Sequence, residues 1–216
     1  MKKILGFTLA EVLITLGIIG VVAAMTIPTL LHNYTEKRTI SLLRETQSII
    51  AQSMKMAEEE NGDMEGWFTI LTQEDTTLRI AENLKPFLKI ALDCGVTDPN
   101  HSCVINKPYL QKNGTPRANY NEKLFYKIHL LNGSSVWWTY VPNEKIAHFY
   151  IDTNGKYAPN TWGKDLFMFE YSNNSLRPMG APDSVYPYET DCKTKNSTGI
   201  GCAYYVLNQQ NMNYLH

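Results

Sequence analysis

The chain lacks every short motif that would announce an enzyme. It has no HExxH, no G-x-S-x-G, no P-loop and no Rossmann glycine run. His32, His101, His129, His148 and His216 are scattered without ligand spacing. A Ser or Cys nucleophile could meet His129 or His148 in space, but nothing in the spacing raises this above background. The four cysteines contain no CxxC pair, which argues against zinc ribbons and thioredoxin-like redox chemistry. There is no basic excess either: 20 Lys and Arg face 21 Asp and Glu, for a net charge of −1. Nucleic acid is therefore not expected as a partner, and no cofactor is expected.

Charge is also missing from one long stretch. After the basic opening MKKILG, the run from Phe7 to Ile27 is predominantly apolar and its only charge is Glu11. Its length suffices to span ~30 Å of hydrocarbon. A carboxylate inside such a run weakens a membrane anchor, so its presence suggests a partner for it in the membrane or in a helical bundle. A cut after Gly6 would make a partner of the right kind, the new α-amino group of Phe7, four residues from Glu11. Two plainer readings compete. One is a secretory signal peptide ending at Val22-Ala23-Ala24; the other is a simple anchor. Neither needs Glu11 at the head of the run or Gly6 before Phe7-Thr8-Leu9.

Those residues resemble the N-terminus of type IV prepilins and of type II secretion pseudopilins. The match is Lys2, Lys3, Gly6, Phe7-Thr8-Leu9 and Glu11, with Pro28 where many such proteins carry a helix-loosening proline. It is strong over about the first 55 residues and holds only in outline beyond. The resemblance implies cleavage between Gly6 and Phe7 by a membrane prepilin peptidase, N-methylation of Phe7, and assembly into a helical filament. Partners would be identical or homologous subunits, the peptidase and an inner-membrane assembly platform. Glu11 of one subunit would neutralise the Phe7 amine of a neighbour. Leu9, Val12, Leu13, Leu16 and Ile19 would pack the filament core. Loss of Lys2 and Lys3 with the leader leaves 18 basic residues against 21 acidic ones.

Beyond the run, Ile40, Leu43, Gln47, Ile50, Met54 and Ala57 recur at 3-and-4 spacing, and Leu42, Ile49 and Met56 widen the stripe. This pattern predicts an amphipathic helix ending at Asn61-Gly62. A helix from Phe7 to Glu60 would be about 80 Å long at 1.5 Å per residue. Pro28 should kink or locally melt it. A short helix is expected within 77–92, interrupted at Leu84-Lys85-Pro86, followed by a turn-rich stretch to Pro116. Strands are expected over 124–131, 135–141, 146–152 and 167–171, separated by Asn132-Gly133 and Pro142-Asn143 among other turns. Such closely spaced strands make an antiparallel sheet. The fold class is α+β: a long helix laid on a sheet with one apolar face, as in a pilin head. The expected divisions are a leader (1–6), the membrane and assembly half of the helix (7–28), its amphipathic half (29–61), a variable region (62–122), and the sheet with its C-terminal region (123–216).

Cys94 and Cys103, and Cys192 and Cys202, form two local pairs. Four cysteines allow three connectivities, and proximity favours the two local loops. An even count in an exported domain reads as disulfides. The segment around Lys193 and Lys195 looks like the disulfide-bounded C-terminal loop of pilins, which in that family lies on the filament surface. The stretch from Asp152 to Phe167 resembles a turn element of pilin-like heads. Asp152, Asn154 and Asp165 could offer oxygens to calcium, but calcium wants six to eight, so structural turns are the expectation. The function read from the sequence is therefore a structural subunit of a type IV pilus-like filament. It would be held in the bacterial inner membrane with a periplasmic head, then carried in a pilus. A type II secretion pseudopilin, or a membrane-anchored periplasmic enzyme or receptor, are the alternatives.

Overall fold

The computed structural model describes residues 8–67 and 72–215. Helix α1 (Leu9–Asn61) ends at Gly62, whose φ of +79° is a backbone conformation that glycine adopts without strain. The helix continues through Pro28 without a break, so of the kink or local melting expected there the melting does not occur. Proline removes a single N–H from the ladder, and the hydrogen-bonded turns on either side suffice to carry the helix past it. The chain divides into two units, residues up to Arg38 and residues from Thr39 onward. In the first unit no helical residue is buried.

In the second unit the remainder of α1 buries Ile40, Leu43, Ile50, Met54 and Ala57. The stripe is not quite the apolar one the spacing suggests. Gln47 is half-buried and Met56 half-exposed, while Thr46 and Ser53 take central places. Each of these hydroxyls has a partner far along the chain. Thr46 Oγ1 bonds Ser134 Oγ at 3.0 Å and Ser53 Oγ donates to the Phe87 carbonyl at 2.9 Å. Burying a hydroxyl is tolerable only with such a partner, and periodicity cannot reveal it.

The short α2 (Met64–Trp67) precedes α3 (Gln73–Leu84), which opens with a capping box between Thr72 and Asp75. A 3₁₀ turn (Lys85–Phe87) leads to the sheet, so the helix expected within 77–92 begins earlier and stops at Leu84. The sheet has six strands: β1 (Ile90–Gly95), β4 (Tyr126–Leu130), β5 (Ser135–Val141), β6 (Ile146–Asp152), β7 (Leu166–Ser172) and β8 (Ser175–Pro178), antiparallel and in that order. The edge strands β1 and β8 carry no clear sequence signal. β1 is bulged and mostly exposed, and β8 has four residues. A separate hairpin of β2 (Tyr109–Leu110) and β3 (Pro116–Ala118) lies in the turn-rich region.

One face of the sheet packs Ile128, Val136, Trp138, Phe149, Phe167 and Phe169 under α1 and α3. Trp138 Nε1 also donates to the Thr77 carbonyl at 3.2 Å, tying the central strand to α3. The sheet was expected to have one apolar face, but the other face is buried too. There Trp137, Tyr150 and Met168 meet Tyr109, Tyr120 and Trp162, which come from loops. Trp137 and Tyr150 are stacked at 5.9 Å with planes 7° apart. Lys127 sits wholly buried on this side, its Nζ donating to the carbonyls of Val96, Glu122 and Phe125 at 2.8, 2.9 and 2.8 Å. Burial pushes its ammonium pKa down to about 8. The three carbonyls fasten the long loop to the sheet in place of a regular ladder.

Candidate functional site

The first unit presents a helix whose side chains are unusually bare. Leu9 is 79% exposed, and Val12, Leu13, Leu16 and Ile19 are also exposed. This is the one helix among the described residues that is long and apolar enough to cross a membrane. Hydroxyls along the helix turn inward on its own backbone: Thr15 donates to the Val12 carbonyl, Thr26 to Val22, and Thr35 to Leu31. Such back-bonding lets a threonine sit in an apolar helix without an unmet donor.

Glu11 has a local role that the sequence did not suggest. Its Oε2 accepts from Thr8 N at 2.8 Å and from Thr8 Oγ1 at 2.9 Å, and Glu11 N donates back to Thr8 Oγ1 at 3.3 Å. This is a capping box at the start of α1, and it meets two of the donors that a helix start leaves open. The S/T-x-x-E spacing of Thr8 and Glu11 is the signal that could have revealed it. Lys2, Lys3, Gly6 and Phe7 lie outside the described residues.

In the head, disulfides join Cys94 to Cys103 and Cys192 to Cys202. The first loop is organised by the buried Asp98, whose carboxylate accepts from the amides of Ser102, Cys103 and Val104. The second loop is organised by Asp191 at the end of α4 (Tyr188–Asp191). Its carboxylate accepts from Thr198 N and Oγ1 and from Gly201 N. Gly199, at φ +85°, closes against the 157–165 loop, where a Cβ would stand 2.7 Å from the Trp162 carbonyl. The chain then forms α5 (Cys202–Gln209), with Ala203 and Val206 in the core.

The three residues considered for calcium lie in one buried turn system. Asp152 accepts from Tyr109 Oη at 2.9 Å and from Asn154 N at 3.3 Å. Asp165 accepts from Asn160 N at 2.7 Å and Thr161 N at 2.6 Å, and the Asn154 amide donates to the Ala158 carbonyl. These bonds give the carboxylates a complete structural reason to be there. Burial raises the Asp165 pKa to about 6, and burial and then the neighbouring Asp165 charge raise that of Asp152 well above the usual range. The folded state thus keeps protons that the unfolded chain releases. Stability from this pair is present at low pH and falls as pH rises from about 4 through about 6. Asp152→Asn, which still accepts from Tyr109, should flatten that fall. Urea denaturation at several pH values would measure it, and an unchanged slope would refute the coupling.

Of the histidines, His129 Nδ1 lies 3.1 Å from Ser135 Oγ. They are cross-strand partners, and Ser135 is buried. A nucleophile needs access to substrate, so the pair reads as sheet pairing rather than a reactive dyad. His148 faces Glu170 across β6 and β7.

A bare apolar helix with one carboxylate near its start, joined to an α+β head, defines a protein of the type IV prepilin and pseudopilin class. The comparisons agree, since residues 1–27 match the prokaryotic N-terminal methylation motif. Residues 29–214 match the family of unknown function DUF6613, and the chain belongs to that family. No curated protein and no solved structure matches the chain. The methylation motif implies assembly into pilin-type filaments with a processing machinery, and with the apolar helix it fits a membrane-anchored protein of structural type.

Proposed function

We propose that this chain is a structural subunit of a type IV pilus-like filament. The leader is removed after Gly6 by a prepilin peptidase, and Phe7 becomes the methylated N-terminus. Before assembly the subunit waits in the inner membrane through the helix, with its head in the periplasm. Lys2 and Lys3 keep the leader on the cytoplasmic side. The subunit then docks on an assembly platform, and Leu9, Val12, Leu13, Leu16 and Ile19 pack against neighbouring subunits. Residues 7–28 form the assembly half of the helix, with Pro28 at its end, and 29–61 the half that carries the head. The role is mechanical and electrostatic, with no catalytic step.

The observation that carries this reading is the helix itself. Its apolar side chains are exposed among the described residues, and lipid or other helices satisfy such a surface. Mass spectrometry of the N-terminal peptide, from membranes and from sheared surface filaments, tests it. A chain beginning at N-methylated Phe7 in the sheared fraction is expected. The same terminus found only in membranes would favour a secretion pseudopilin. A chain beginning at Met25, or one retaining Met1, would overturn the filament reading.

A further inference from the structure

A cleft of about 440 Å³ opens where three loops of the head meet. Lys112 comes from the turn between β2 and β3, Lys164 from the loop before β7, and Lys193 and Lys195 from the Cys192–Cys202 segment. Four lysines thus line one concavity of a molecule whose net charge is −1. Nearby acids offset them only in part. Glu189 pairs with Lys193 at 3.0 Å, and the Asp191 carboxylate, held by Thr198 and Gly201, favours the charged form of Lys112, so Lys164 and Lys195 carry most of the unpaired charge.

The cleft is built rather than incidental. Lys112 Nζ donates to the Cys192 carbonyl at 2.6 Å and the Thr194 carbonyl at 2.9 Å, so its direction is set. Lys112 N also donates to the Thr198 carbonyl at 2.8 Å, and Asn113 Nδ2 reaches the Asn196 carbonyl at 3.4 Å. These bonds and the disulfide hold the walls before any ligand arrives, which lowers the ordering cost of binding. Burial depresses the Lys112 pKa, and the Asp191 charge opposes that shift. Tyr214 forms a further wall, its ring 5.7 Å from Lys112 Nζ.

We propose that this cleft binds a phosphate group, free or carried on a sugar. Lysine ammonium groups serve phosphate as point charges, and four of them suit a doubly charged group better than a single carboxylate. The volume lies within the range of small-ligand sites. The side-chain amide of Asn196 and the ring of Tyr214 line the same cleft and offer a sugar a hydrogen-bonding group and a flat apolar face. Duplex DNA would instead call for cations along an extended track, because its affinity comes from many backbone contacts. The inference does not depend on filament assembly.

Calorimetry on the full chain in maltoside micelles, which contain no phosphate, tests the inference. The probes are inorganic phosphate, glucose 6-phosphate and a short DNA duplex. Saturable binding of at least one phosphate probe is expected, weakening as salt is raised. Tighter binding of glucose 6-phosphate would point to a phosphorylated glycan, and equal binding to free phosphate. Lys164→Gln with Lys195→Gln, both at exposed positions, should weaken binding about tenfold or more, and Lys164→Arg with Lys195→Arg should largely retain it. A melting curve shows that each variant is folded. No saturable binding of either phosphate probe, equal binding by wild type and the glutamine variant, or binding of the duplex alone would each overturn the proposal.

Discussion

Glu11→Ala is expected to leave leader removal intact and to reduce incorporation into filaments about tenfold or more. The argument is electrostatic. A carboxylate and an amine that meet in a packed bundle of apolar helices attract far more strongly than in water, and an unpaired charge there is costly. A tenfold loss of assembly corresponds to only about 1.4 kcal/mol, well within what a broken pair of this kind costs. The capping box complicates the reading, because alanine also removes the bonds from Thr8 N and Oγ1. Loss of a cap costs about 1 kcal/mol and would fray the first turn. Glu11→Gln separates the two effects, since its amide oxygen can still accept from Thr8 while its charge is gone. The glutamine variant should therefore fail in assembly nearly as badly as the alanine variant. Immunoblots of membrane and sheared fractions measure this. Wild-type filament yield from either variant would refute the pairing role.

The second large effect is expected from Cys192→Ser with Cys202→Ser. The bridge closes a segment with a sequence separation of 10. Chain entropy alone assigns such a loop about 3 kcal/mol. Both cysteines are fully buried, so two hydroxyls would enter apolar surroundings and add to the loss. The consequence reaches beyond α5, because the same segment supplies Lys193 and Lys195 and the carbonyls that hold Lys112. The variant should unfold at lower guanidinium concentration, and reductant, which opens Cys94–Cys103 in both proteins, should narrow the gap between them. Coincident unfolding curves for the two proteins would show that Asp191 and the core hold the loop unaided.

The core of the sheet could be read from local pattern. β5 and β6 have the bounds expected for them, and β4 and β7 differ by a residue or two. The reason is that alternation and the Asn132-Gly133 turn are local signals. The edges escaped that reading because β1 is bulged and exposed and β8 is short, so neither imposes a period on its residues. The second apolar layer escaped it for another reason. Tyr109, Tyr120 and Trp162 are separated by irregular chain, and nothing in their spacing reveals that they share one face with Trp137 and Tyr150. The Glu11 cap is a local signal too, Thr8-x-x-Glu11, because a capping box joins residues three apart in the chain.

The sequence by itself determined the class of this protein. The basic opening, Gly6-Phe7, the apolar run and Glu11 follow one another directly in the sequence, where chemistry follows from order along the chain. Tertiary structure alone decided the second core, the burial of Lys127, the Asp152–Asp165 pair and the lysine cleft. Lys112 and the carbonyls of Cys192 and Thr194 that orient it are some 80 residues apart in the chain. Contacts across such distances depend on how loops close over a finished sheet, and no periodicity in the chain records them.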